Sequence, residues 1–119
     1  MSLLGLVRHL TEVERYWFQI CLDKRPISPV LWTDEHPDGD FDLVDPALVE
    51  HDVAQYQEIV KLSDEIGAGY DLDHTFHRPR RETELYSVRW LYLHLIEEYS
   101  RHNGHADLLR ERIDGRTGE

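Results

Sequence analysis

From Leu3 onward, Leu6, Leu10, Val13, Trp17 and Ile20 return every three or four residues, the step that keeps side chains on one face of an α-helix. Ser2 stands where an N-cap acceptor belongs, so the pattern predicts an amphipathic helix of about five turns at the start of the sequence. A second stripe, Val49, Val53, Tyr56 and Val60, follows Asp45-Pro46, a cap residue and a proline whose fixed φ suits a first helical position. "GAG" from Gly67 ends it. A third helix begins near Ser87, carries Val88, Leu91, Leu95, Tyr99, Leu109 and Ile113 on one side, and stops at Asp114-Gly115. No segment sustains a period of two, so no sheet is expected. The two connections, Asp23 to Val44 and Ala68 to Tyr86, exceed ordinary helix-helix links and are candidates for a binding rim or lid.

The third stripe is interrupted by polar residues. At 100° per residue, Glu98 and His102 project between the directions of Leu91, Leu95, Leu109 and Ile113, whereas Arg89, Glu97 and Arg101 point away. An unpaired carboxylate inside costs several kcal/mol, roughly, so Glu98 needs a partner. Side chains four apart on a helix start about 5–6 Å from each other, which lets a Glu-x-x-x-His pair converge on one cation. His9, just to one side of the first helix's stripe, could face the same interior and complete a two-histidine, one-carboxylate set. His105, one turn beyond His102, is then a reserve ligand or a hydrogen-bond donor behind the ligands. The competing reading is a Glu98/His102 pair that satisfies itself at a subunit interface. His94 lies further from the stripe and is expected to be partly exposed. Gly104 inside the helix suggests close approach by another element or a ligand.

Length and charge narrow the field. The 119 residues suit a single domain, 1–119, with one modest core. With 24 acidic residues against 13 basic ones, the net charge of −11 argues against a nucleic-acid partner. There is no apolar run of the roughly 20 residues a membrane span requires and no signal-peptide pattern, so a cytoplasmic protein is expected. Cys21 has no disulfide partner and is expected to behave as a small buried hydrophobe. The stretch Asp34 to Asp45 superficially resembles a calcium loop around Gly39, but His36 and Pro37 break the pattern and Asp45 replaces the closing glutamate, which favours a solvated acidic loop. In the connection from Asp23 to Val44, Trp32 and Phe41 either pack over a cleft as a lid or pin the loop to the helices. His51 faces outward. His74 and His77 lie near Arg78, Arg80 and Arg81, the one basic cluster, which is either a solvated loop or a receptor for an anionic group. Neither a glycine-rich phosphate loop nor a cysteine pair for zinc is present.

"SLLGLVRHLTEVERYWF" from Ser2, "WTDEHPDGDFD" from Trp32 and "SVRWLYLHLIEEYSRHNGHADLLRERIDGRTGE" from Ser87 resemble the DinB-like superfamily, in particular its branch sometimes labelled mini-circle protein. The resemblance implies an all-α, up-down helical bundle with a metal site among its helices, often assembled as a dimer. It also implies low-molecular-weight thiols such as bacillithiol, mycothiol or glutathione, used in S-transfer or isomerisation. Matched motif to motif, the family's ligands fall on His9, Glu98 and His102, with Glu98 standing where many members have histidine. The carboxylate adds negative charge and bears on the metal, zinc or nickel foremost, with manganese and iron also compatible. Such chains usually carry another helix before the His-Leu helix, and this sequence starts almost at that helix's cap. The expectation is therefore a homodimer, with a partner covering apolar surface, or coverage by the two long loops.

Function follows as an expectation: a divalent-metal-dependent S-transferase, isomerase or hydrolase acting on a small molecule through an activated thiol or water, with His105 relaying a proton or orienting a ligand. The alternative is a non-catalytic, metal-stabilised helical module for interaction or dimerisation.

Overall fold

The computed structural model describes residues 1–118 and is mostly helical. Helix α1 (Leu3–Glu14) is capped by Ser2, whose Oγ accepts the Gly5 N–H at 3.0 Å. It runs without interruption into a π-helical segment, Arg15–Leu22. The wider turn, with Asp23 N–H bonded to the carbonyl of Phe18, rotates the inner face relative to an α-helix. Leu6, Leu10 and Trp17 are buried as the stripe requires, but past Arg15 it is Phe18, Cys21 and Leu22 that turn inward and Ile20 that stays half-exposed.

A long connection follows, containing the one-turn helix α2 (Gly39–Asp42) and a 3-10 turn, Pro46–Leu48, capped by Asp45. Helix α3 (Val49–Ala68) continues from that turn. Its inner face differs from the expected stripe. Val49 and Val53 are exposed, while Asp52, Ser63, Ile66 and Gly67 are buried. The inward side is chosen by Arg8 of α1, which pairs with Asp52 at 3.4 Å in the interior, and a buried guanidinium outranks two valines in deciding which face turns in.

The second connection is not a loop. Strands β1 (Thr75–Arg78) and β2 (Arg81–Ser87) form an antiparallel hairpin, pairing Thr75 with Ser87, Phe76 with Tyr86 and His77 with Leu85. The fold is therefore not purely all-α. The hairpin escaped the pattern because only Phe76 of its residues is buried. Its turn also places Arg80 at φ 61°, a left-handed position that glycine or asparagine usually marks in sequence. Leu72 and His74 carbonyls accept the Arg89 and Val88 N–H groups, tying the hairpin to the start of helix α4 (Val88–Asp114). Ser87 caps α4, and Gly115 at φ 74° closes it, at the boundaries read from sequence.

The core gathers Trp17, Phe18, Cys21, Leu22, Ile66 and Phe76 with Val88, Leu91 and Leu95 of α4. That burial fades along α4: Leu109 is half-buried and Ile113 is 69 % exposed, so the stripe extends further in sequence than its packing does. Gly104 has nothing within 4 Å of where a Cβ would stand, and the close approach expected there does not occur.

Candidate metal centre

Three side chains from the two ends of the sequence meet. Nε2 of His9 on α1 lies 4.0 Å from Oε2 of Glu98 on α4, and Nε2 of His102 lies 3.4 Å from the same oxygen. One donor atom from each residue falls within 4.8 Å of the others. Donors about 2.0–2.1 Å from a tetrahedral ion stand roughly 3.4 Å apart, so the shorter edge already has the required length and the set is open by about an ångström elsewhere. Among the described residues this is the one cluster of three or more such donors, and the acidic stretch Asp34 to Asp45 assembles none.

Each of the three side chains has further neighbours. The carboxylate Oδ2 of Asp40, on α2, accepts from Nδ1 of His9 at 2.8 Å. Because a carboxylate only accepts, the His9 proton sits on Nδ1 and the lone pair of Nε2 is left pointing at Glu98 and His102. The Phe41 ring stacks on His9 at 4.5 Å and fixes its plane. On the other side, Nδ1 of His105 lies 3.2 Å from Nδ1 of His102, and either ring nitrogen can be the donor. Burial, followed by the neighbouring His9, holds the His102 pKa below its ordinary value against the opposing pull of Glu98, which keeps the ring neutral and able to ligate. Glu98 divides its oxygens, with Oε2 toward the two histidines and Oε1 toward His94 at 3.8 Å and Arg101 at 3.6 Å.

Arg8 braces this arrangement although it touches none of the three. Its Nε and Nη2 donate to the carbonyls of Asp40 and Gly39, and Nη1 pairs with Asp52, clamping α2 between α1 and α3. Gly39 allows the clamp: a Cβ there would stand 2.8 Å from the Leu31 carbonyl oxygen. Sequence reasoning missed both Arg8 and Asp40. Their only signal was position, since Arg8 adjoins His9 and Asp40 adjoins Phe41, and an acidic loop gives no hint of which carboxylate will be buried.

The expected lid residues lie nearby. Phe41 covers His9, and Trp32 lines a cavity of about 260 Å³ together with His9, Glu12, Val13 and Trp17. Glu12 closes its rear by binding Arg15 and accepting the Val30 and Leu31 N–H groups, which ties the long connection to α1. His94 is partly exposed as expected, stacked on Trp90 at 4.8 Å. His51 is exposed, and His74 and His77 lie in or beside the hairpin, apart from the cluster. Cys21 is fully buried, and desolvation pushes its thiol up to about 11, which leaves it inert.

A family model described as mycothiol-S-transferase matches residues 1–115. No curated protein and no solved structure matches the chain. No helix is long and apolar enough to cross a membrane.

Proposed function

Because the chain belongs to the mycothiol-S-transferase family, within the DinB-like superfamily, we propose that it is a divalent-metal-dependent thiol S-transferase whose ion is held by His9, Glu98 and His102. The observation that carries this reading is the convergence of two imidazole Nε2 atoms on one carboxylate oxygen without a hydrogen bond of ordinary geometry among the three. A self-satisfied Glu/His pair would bring donor and acceptor to about 2.7–2.9 Å. The 3.4 Å separation of His102 Nε2 and Glu98 Oε2 is longer than such a bond and supports the reading. Two nitrogens and one carboxylate suit zinc or nickel first, and manganese or iron next.

An ion held by His9, Glu98 and His102 would supply Lewis acidity that lowers the pKa of a bound thiol. The chain's own residues do the rest. Asp40 keeps the His9 proton on Nδ1, and His105 orients His102 through its Nδ1, so we place His105 as a positioning residue rather than one that touches substrate. Phe41 holds the plane of His9, and Trp32 lines the cavity beside it. In the transfer the thiol would lose its proton to solvent, its sulfur would bond to the electrophilic atom of a small-molecule acceptor in the neighbouring cavity, and the acceptor's leaving group would depart with the electron pair of the broken bond. We also propose that the protein acts in the cytoplasm as a homodimer, supported by Leu93, Ile96, Leu108 and Ile113, which leave α4 with 56–69 % of each residue in solvent.

Elemental analysis of protein purified without a histidine tag tests the centre. His102→Ala should lose the bound metal while far-UV circular dichroism stays unchanged, and a variant that keeps its full metal content refutes the assignment. A thiol that binds the metal-loaded protein but not the chelated one separates the transferase from a purely structural ion.

A further inference from the structure

The hairpin brings one residue of the chain's basic cluster, Arg78, to the cavity beside His9. Arg78, the last residue of β1, lies along the outer part of that cavity with its guanidinium carbon 5.5 Å from the centre of the Tyr16 ring and 5.3 Å from that of Trp17. Its Nε donates to the Tyr16 hydroxyl at 3.0 Å. That bond, with the two rings, fixes the plane of the guanidinium, which the Tyr86 hydroxyl also approaches. Among the described residues no carboxylate pairs with Arg78. Glu84 on the same hairpin is taken by Arg81 and Tyr86.

The other charges lining the cavity are compensated. Glu12 is bound by Arg15 and two backbone N–H groups, and Asp40 is bound by His9. Arg78 is thus the cation left over in a pocket otherwise walled by Val13, Tyr16, Trp17 and Trp32. The cavity continues past Tyr16 and Trp32 into a second one of about 520 Å³, flanked by Ile20, Ile27, Pro79 and Arg80. The two cavities share Tyr16 and Trp32 as lining residues, and Asp34 also borders the second.

We propose that Arg78 is the receptor for a carboxylate on the acceptor substrate, a partly apolar monoanion. The proposal rests on the transferase reading for the direction in which the substrate lies, while the anion subsite itself needs no metal. A planar fork already fixed by Tyr16 meets a carboxylate through two parallel hydrogen bonds at little entropic cost. A singly charged group suits the pocket better than a dianion, because Glu12 and Asp40 line the same space. In a chain of net charge −11 the site also supplies the local field that such a substrate requires.

The test uses chelator-treated full-length protein and three probes of one shape: 4-phenylbutanoate, its neutral amide and the corresponding phosphate monoester, 3-phenylpropyl phosphate. Binding is read from indole fluorescence and indole N–H shifts of Trp17 and Trp32. The carboxylate should bind about tenfold more tightly than the amide, and added salt should erode that preference. Arg78→Met should abolish the difference while leaving amide binding unchanged, and Arg81→Met, already paired with Glu84, should preserve it. If Arg78→Met fails to fold, Arg78→Lys serves, with carboxylate binding weakened several-fold and amide binding intact. Equal binding of carboxylate and amide, a preference that survives in Arg78→Met, or tighter binding of the phosphate ester each overturns the assignment. Since no metal is present, these outcomes are independent of the metal content that decides the proposed function.

Discussion

Asp40→Asn isolates what the carboxylate behind His9 contributes. Asp40 uses both oxygens: Oδ2 accepts from His9 Nδ1 at 2.8 Å and Oδ1 accepts from the Phe41 N–H at 3.0 Å. Asparagine has the same shape but only one acceptor, so its amide can face His9 or Phe41 correctly and must present N–H to N–H at the other. The backbone carbonyl of residue 40, held by Arg8, is untouched, so α2 stays docked. Two losses therefore fall on the site, the negative charge that makes His9 a better donor to a cation and one buried hydrogen bond. A charge-assisted bond in a buried place is worth about 1.5–3 kcal/mol, and removing a partner behind a metal-bound histidine weakens affinity about 10- to 100-fold. The two estimates agree, since tenfold corresponds to about 1.4 kcal/mol. Competition with a chromophoric chelator on tag-free protein measures the change, with His9→Ala as the reference for complete loss of the ligand. A metal affinity within about twofold of the original in Asp40→Asn, alongside loss in His9→Ala, would refute the role given to Asp40.

Two further outcomes follow from burial. Cys21 should resist a thiol reagent at pH 8 in the folded protein and react fully once urea unfolds it; rapid native-state labelling contradicts the packing around it. The same thiol sets a pH dependence: with the folded pKa pushed to about 11, above the unfolded value of about 8.5, the folded state retains a proton that the unfolded state releases. Its contribution is fully present below about pH 8.5 and falls by up to about 1.4 kcal/mol per unit as pH rises toward 11, and Cys21→Ala should remove that slope from urea titrations. For the assembly, sedimentation at micromolar concentration should give a dimer, and Ile96→Glu on the exposed part of α4 should give a monomer; a monomer before substitution ends that proposal.

Local rules made much of this protein legible. Ser2, Asp45-Pro46, Ser87 and Gly115 mark helix ends where they occur, because capping is satisfied by atoms within a few residues of each other. The inward direction of His102 could be read from its step relative to Leu91 and Leu95, since helical geometry carries a face along the chain. Facing failed where the geometry changed. The π-helical segment shifted the inner side past Arg15, and the Arg8–Asp52 pair turned α3 away from its valines. Periodicity assumes a constant helix and an apolar interior, and neither holds here.

Sequence by itself settled three long helical stretches, the burial of Cys21 and the identity of the polar residues that break the α4 stripe, because each depends on neighbours within one or two turns. Tertiary structure decided that His9 reaches Glu98 and His102, that Asp40 rather than another acid of its loop stands behind His9, and that Arg78 lies along the cavity edge. Those pairings join residues between 31 and 93 positions apart. No local propensity encodes them; they exist only when the core has closed and the chain's ends are held together.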